Sequence, residues 1–185
     1  MKKRQYLYQY RPVAWLISDA RNDAVLEGLL ARLPRGSGFI FRHYHLAQVA
    51  RRARFDRLAR IARRYGHSVV LSGSARQARR WGADGAYGAG PVLASGPAMP
   101  RLVTVHSLKE LRKARRADAV LLSPVFSTRS HPGAKPLGSL RFRLLATHAQ
   151  VPAIALGGMT AKRARQLGRQ HGIQSWAAID RIISA

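Results

Sequence analysis

Near the end of the chain, the apolar run Ala153 to Leu156 leads straight into Gly157-Gly158, then Met159 and Thr160. Two consecutive glycines let backbone N–H groups approach an anion that a Cβ would hold off. With Thr160 placed to cap a following helix, this spacing is a candidate phosphate cradle. The last apolar run, Trp176 to Ile179, leads into Asp180-Arg181 at the start of a final short helix. A helix start favours an anion, which Arg181 would help and Asp180 oppose. His106-Ser107 closes another apolar run, and an imidazole titrating near neutrality is an acid–base candidate. His43 and His45 form His-x-His, a donor pair for a metal. On a strand both would share one side, leaving Arg42 to face the other. A binuclear centre would need further His and Asp at other strand ends, and none is found there.

Charge bounds the partners. The chain has 185 residues, 33 Lys plus Arg against 8 Asp plus Glu, and a formal net charge of +25. Nucleic acid, anionic lipid and phosphorylated metabolites are all attracted by such a chain. Arg dominates, and its fork grips phosphate in bidentate fashion. The densest run is Arg51, Arg52, Arg54, Arg57, Arg60, Arg63 and Arg64, broken by Ala, Phe and Leu as in a helix. No zinc-finger or glycine-loop RNA motif accompanies it. A small phosphorylated metabolite is therefore the expected partner, with nonspecific nucleic-acid attraction through charge. Zero Cys excludes a disulfide scaffold, a Cys-based zinc site and a Cys nucleophile. No apolar run approaches the ~18 residues of a membrane span, and Gln9 to Pro12 break the start as a secretory signal. The expectation is a cytoplasmic protein without membrane contact.

The elements that must position these residues alternate. Strands are expected at residues 14–18, 38–44, 68–72, 85–87, 102–105, 119–123, 153–156 and 176–179, mostly as continuous apolar runs typical of parallel strands covered on both faces. Helical spacing links Val25, Leu26, Leu29, Leu30 and Leu33. Leu46, Val49, Ala50 and Ala53 form a stripe whose continuation meets Arg57. Ser107 to Glu110 is a capping box. Leu137, Leu140, Leu144 and His148 mark another helix, and Ala164 with Leu167 the last. Eight strands alternating with helices define an α/β fold and fit a compact (β/α)8 TIM barrel with trimmed helices, the alternative being an open doubly wound sheet. A TIM barrel usually needs at least ~200 residues, so trimming is expected at residues 88–100 and after the last strand. One domain is expected over 1–185, with 1–13 a basic extension. Trp15, Trp81 and Trp176 read as core. His67, His148 and His171 read as solvated or capping groups at helix ends. Asp84 and Asp118 precede strands and read as stabilising residues at the barrel bottom.

The ordered series is more specific than any one motif. It runs ISDAR, FIFRHY, RRWGADGAYG, VTVHS, ADAVLLSPVFSTRSHPGAKPLG, IALGGMT and WAAIDRI. It resembles the thiamine phosphate synthase family, which also contains thiazole tautomerases, from about Ala14 to Ile182. The resemblance implies a TIM barrel in thiamine biosynthesis. Synthases of this family join an aminopyrimidine methyl pyrophosphate to a thiazole phosphate, with Mg²⁺ on the departing pyrophosphate. It implies ligand contacts at Arg42, at Thr104 in place of the family Ser, and at Thr128, Ser130, Gly157 and Gly158.

Departures accompany the match. Ile40 and Tyr44 stand where the family has Gln and Lys around the Arg of its second strand. Ser72-Gly73 replaces an Asn-Asp pair, Tyr87 replaces a His, and no Asp follows the fourth strand. His131 stands at the pyrophosphate Lys, with Lys135 four residues on. Mg²⁺ needs hard oxygen ligands, usually carboxylates and phosphates, so the metal ligands expected for the family are missing and full synthase activity is not expected. Two alternatives stand beside a divergent synthase-family protein. One is a thiazole tautomerase-like isomerase using His106, although Pro124 stands where that branch has its catalytic His. The other is a non-catalytic basic protein that binds nucleic acid or acidic partners through Arg51, Arg52 and Arg54.

Overall fold

The structure is a computed structural model and describes residues 13–129, 133, 135–171, 173, 175–180 and 182. Eight parallel strands close on themselves in sequence order. They are β1 (Ala14–Ile17), β2 (Gly38–Phe41), β3 (Ser68–Ser72), β4 (Gly85–Ala89), β5 (Arg101–Val105), β6 (Ala119–Leu122), β7 (Ala153–Leu156) and β8 (Ser175–Ala178). The barrel shuts because β1 pairs with both neighbours, Trp15 standing opposite Gly38 on one side and Ala177 on the other. The open doubly wound sheet is thereby excluded.

The helices between them are α1 (Leu26–Arg32), α2 (Gln48–Arg64), α3 (Ala75–Arg80), α4 (Gly90–Leu93), α5 (Leu108–Lys113), α6 (Gly138–Thr147) and α7 (Ala161–His171). A 3-10 segment, Ala20–Val25, precedes α1. The Gly- and Pro-rich stretch between β4 and β5 yields only the single turn α4, as its composition implies. Among the described residues no helix is long and apolar enough to cross a membrane.

A period of two lies hidden inside the continuous apolar runs. Trp15, Ile17, Ile40, Val70, Tyr87, Leu102, Leu121, Ile154 and Ala177 pack together inside the barrel. Their chain neighbours Leu16, Phe39, Phe41, Val69 and Leu71 belong to the outer layer between sheet and helices. Gly38 is required by this packing, because a Cβ there would enter the Trp15 indole. Trp81 and Trp176 are buried in the outer layer, as expected.

Two helix faces differ from the sequence reading. In α2 the buried residues are Phe55, Leu58, Ala59 and Ala62, while Val49 is 85% exposed. The expected stripe began too early, since Ala47 is the N-cap and Val49 and Ala50 in the first turn are exposed. Arg57 is accordingly exposed rather than trapped on an apolar face. In α6 the buried residue is Phe142, and Leu140 and Leu144 lie on the open side at 61% and 50% exposure.

The barrel bottom is capped by the two expected acids. Asp84 accepts a hydrogen bond from the Val69 N–H at 2.7 Å, and Asp118 one from the Arg101 N–H at 2.9 Å. Many cations stand at helix C-termini: Arg32, Arg63, Arg64, Arg79, Arg80, Arg112 and Lys113 occupy last turns. There they oppose the negative end of each helix dipole. His67 is a correction. It is buried, and its Nε2 donates to the Leu30 carbonyl at 2.9 Å, tying α1 to the start of β3 instead of being solvated. His148 is the exposed C-cap of α6.

Candidate functional site

The C-terminal ends of the strands open into a cavity of about 540 Å³. Its lining includes Arg42, Thr104, His106, Thr128, Gly157, Gly158 and Arg163. The glycines carry positive φ angles of 96° and 61°. Their fit is tight. A Cβ on Gly157 would lie 2.7 Å from Pro124 Cα, and one on Gly158 would strike the Ser127 carbonyl oxygen. Both geometry and space therefore demand glycine. Hydrogen bonds continue past the strands, from Val125 N–H to the Leu156 carbonyl at 2.8 Å and from Phe126 N–H to the Gly157 carbonyl at 3.1 Å. The loop after β6 thus underlies the loop after β7.

Thr160 caps α7, accepting from the Arg163 N–H at 3.2 Å. The Arg163 guanidinium donates to the Gly158 carbonyl and lies 4.6 Å from the centre of the Phe126 ring. It holds the glycine loop from above and adds positive charge to the mouth. The sequence reading missed Arg163, which looks like one more solvated arginine on a basic helix. Its position three residues after a capping Thr was the available signal.

His106 lines the cavity, and its Nδ1 lies 2.7 Å from the Ser123 carbonyl oxygen. A carbonyl only accepts, so Nδ1 carries the proton and the neutral ring keeps its lone pair on Nε2. Half of the expected capping box forms below it, with Ser107 Oγ accepting from the Glu110 N–H. The Glu110 side chain bonds the residue before the cap instead of the cap itself, accepting from the His106 N–H at 2.9 Å. Thr104 lines the cavity and is hydrogen-bonded to Tyr87, whose hydroxyl burial pushes to a raised pKa. Lys135 is exposed and lies outside the lining. Ser130, His131 and Arg181 lie outside the described residues.

The β1 to β4 side is built differently. β2 ends at Phe41, so Arg42 sits just beyond the strand, still lining the cavity. His43 is not a strand residue either. It turns with φ 41° and is buried, its ring stacked on Phe41 at 4.7 Å. Burial holds its pKa below the ordinary value, against the opposite pull of Asp23. Asp23 in turn pairs with Arg54, which also bonds Glu27. The Tyr44 hydroxyl is bonded to Ser72 Oγ. Arg51 donates to the carbonyls of Arg42 at 2.8 Å and Ser72 at 2.7 Å while lying over Tyr44 and Trp81. Arg52 bonds Asp56 at 2.8 Å. The three arginines expected to meet nucleic acid are thus engaged in internal contacts.

The ends of β3 and β4 present Ser72, Gly73, Tyr87, Gly88 and Ala89, none of them a carboxylate. Among the described residues, Asp180 is the single carboxylate lining the cavity. It is paired with Arg129 at 2.9 Å and lies 3.8 Å from Arg21, in the segment after β1.

Eight parallel strands closed in sequence order, with helices between them, define a (β/α)8 TIM barrel. The sequence profile of the thiamine monophosphate synthase family matches residues 14–182, and the chain belongs to that family. It is similar to "Putative thiamine-phosphate synthase 2" of Aquifex aeolicus (strain VF5), 39% identical over 59 residues, which are 31% of this chain and 32% of that protein. It is also similar to thiamine-phosphate synthase of Chloroflexus aurantiacus (strain ATCC 29366 / DSM 635 / J-10-fl), 30% identical over 86 residues, 45% of this chain and 39% of the relative. These matches span only about a third to two-fifths of the curated relatives' own length. The solved thiamine phosphate pyrophosphorylase from Pyrococcus furiosus superposes with a TM-score of 0.77 at 19% identity, covering 92% of this chain and 87% of that one. That likeness shows the fold. Family membership supports a place in thiamine biosynthesis.

Proposed function

We propose that this protein is a cytoplasmic, single-domain member of the thiamine pathway that binds a phosphorylated thiazole-type ligand without a magnesium–pyrophosphate half-site. The observation that carries the reading is the Gly157-Gly158 loop, fixed at positive φ against the loop after β6 and opening on a cavity edged by Arg163 and Thr128. Backbone N–H groups and arginine forks together suit a monophosphate. The chain's own residues bind and orient the ligand. They offer no carboxylate pair where a departing pyrophosphate would need its metal.

Calorimetric titration with thiazole monophosphate should give saturable binding that is the same with and without Mg²⁺. Mixing the protein with both synthase substrates and Mg²⁺ should give no magnesium-dependent thiamine phosphate. Absence of thiazole monophosphate binding overturns the ligand assignment. Robust magnesium-dependent product overturns the metal-free site.

One observation favours a second reading, an isomerase. The Ser123 carbonyl fixes the His106 tautomer, leaving Nε2 as a proton acceptor in a residue that lines the cavity. In that case His106 shuttles the proton of a thiazole tautomer. His106→Ala should then abolish aromatisation while leaving phosphate affinity intact, and an unchanged rate would remove His106 from the mechanism.

A further inference from the structure

A second constellation at the mouth belongs to neither the glycine loop nor the cavity. Asp23 follows β1, and His43 and His45 follow β2. Each offers one ligand atom, and these atoms all lie within 4.8 Å of one another. Two imidazoles and a carboxylate, with a position left for water, are a donor set for Zn²⁺ and similar transition ions. The histidine pair alone did not make this legible. The third donor lies in the turn after a different strand, where a supply of acids at other strand ends had looked absent.

The supporting groups already orient two of the three donors. His43 is held at φ 41° with its side chain fully buried. Its Nδ1 sits 2.7 Å from Ser18 Oγ, and its Nε2 sits 2.7 Å from Asp23 Oδ1. Arg54 donates at 2.7 Å to the same Oδ1 and to the Asp23 carbonyl, so the carboxylate is clamped on its outer side. The Arg54 charge that would oppose a cation is shared with Glu27. His45 is exposed, with its ring centre 5.0 Å from that of His43. Donors around a tetrahedral ion at ~2.0–2.1 Å stand about 3.4 Å apart, so the exposed imidazole swings inward and the 2.7 Å His43–Asp23 pair opens by about 0.7 Å to admit the ion.

Ser18 makes the exchange from hydrogen bond to metal bond possible. An ionised Asp23 can only accept, so the resting His43 carries its proton on Nε2, and Ser18 donates its hydroxyl hydrogen to Nδ1. With an ion present the ring takes its other tautomer. Nδ1–H then donates to Ser18 Oγ, and the Nε2 lone pair faces the metal. The ring proton moves from one nitrogen to the other with no net loss from the imidazole. A hydroxyl serves both arrangements because it donates and accepts, and Ser18 Oγ also accepts the Arg42 N–H at 2.7 Å. A partner that fixes the far nitrogen is what orients a ligating histidine.

We infer that Asp23, His43 and His45 bind a divalent transition metal ion of the Zn²⁺ class, with His45 closing the site from solvent. The ion clips the turn after β1 to the turn after β2, beside Arg42 at the cavity rim. The inference is independent of the thiazole phosphate reading.

The test uses the full chain without a polyhistidine tag, stripped with a chelator. Zn²⁺ titration by calorimetry should show one equivalent bound, and Co²⁺ should develop the intense visible bands of tetrahedral coordination. His45→Ala and the near-isosteric Asp23→Asn should each weaken Zn²⁺ at least about 30-fold, and Ser18→Ala about 10–100-fold. Circular dichroism and thermal melting of His45→Ala, altered at an exposed position, should match the parent without metal. No stoichiometric Zn²⁺ binding by the parent chain overturns the site. So does Zn²⁺ binding that persists undiminished in a folded His45→Ala protein, since the ion would then sit on other histidines.

Discussion

The two sides of the barrel mouth reach rigidity by opposite means. On the β6–β8 side the main chain does the shaping, through Gly157 and Gly158 and the bonds that extend the pairing of β6 with β7. The cavity lining there includes Gly157, Gly158, Thr128 and Arg163. On the β1–β4 side the side chains are bonded to one another: Ser18 to His43, His43 to Asp23, Asp23 to Arg54, Arg54 to Glu27, and Tyr44 to Ser72. A polar group satisfied inside the protein gains little by exchanging its partner for an organic phosphate. The difference teaches where this barrel keeps its capacity for an anionic ligand and where it keeps its stability.

The largest effect that could break this contrast belongs to Gly158→Ala. The added Cβ meets the Ser127 carbonyl at a φ of 61° that L-residues rarely adopt. Thiazole monophosphate affinity should fall about 100-fold, which is about 2.7 kcal/mol, with the barrel still folded by circular dichroism. Next comes Arg54→Ala on the other side. It takes the guanidinium from the Asp23 carboxylate and leaves Glu27 only the exposed Arg57 at 3.1 Å, and urea denaturation should show a loss of about 2 kcal/mol, between the surface and buried extremes for ion pairs. Ligand affinity should be unchanged, and a parallel loss of affinity would show that the two sides are coupled.

Arg163→Ala should weaken the phosphate ligand about 10-fold, with Lys restoring charge but not the stacking on Phe126. A pH series sharpens the stability side. The hydrogen bond from Arg54 holds the Glu27 carboxyl below its ordinary pKa. Its stabilisation is therefore fully present above about 4.3, the unfolded value, and is lost as pH falls through the lower folded value. The stability gap between parent and Glu27→Gln should close over that acidic range in denaturation curves. The smallest effect is Tyr44→Phe, which removes the bond to Ser72 and should cost about 0.5–1 kcal/mol of stability in denaturation curves.

Much of the barrel was legible because its signals are local. An apolar run such as Val69 to Leu71 must be covered on both faces, and eight such runs alternating with helices leave few topologies. The glycine loop was legible because residue type is itself the message at Gly157 and Gly158. The face of α6 was not. Leu140 with Leu144 and Phe142 with Leu145 are rival stripes. The choice is made by the chain before the helix, where the Leu137 N–H bonds the Pro124 carbonyl at 2.8 Å. His67 reads as a helix-end residue until α1 brings the Leu30 carbonyl to it. The Asp23–His43–Arg54 network was invisible for the same reason, since its members come from three segments that only barrel closure brings together. Arg51 and Arg54 look like free cations in a basic run, yet neighbouring strand ends supply carbonyls and carboxylates for them.

The bonds that carry the β6–β7 pairing into the glycine loop also bear on the timing of capture. A segment that must order itself around a ligand lowers affinity by the freedom it gives up, and slows association where the bound shape is rare. This loop is shaped by its own sheet before any anion arrives. Encounter is then governed by diffusion and by the attraction of a strongly cationic surface, which added salt would screen. For the phosphorylated ligand proposed above, discrimination would then fall to how long each molecule stays.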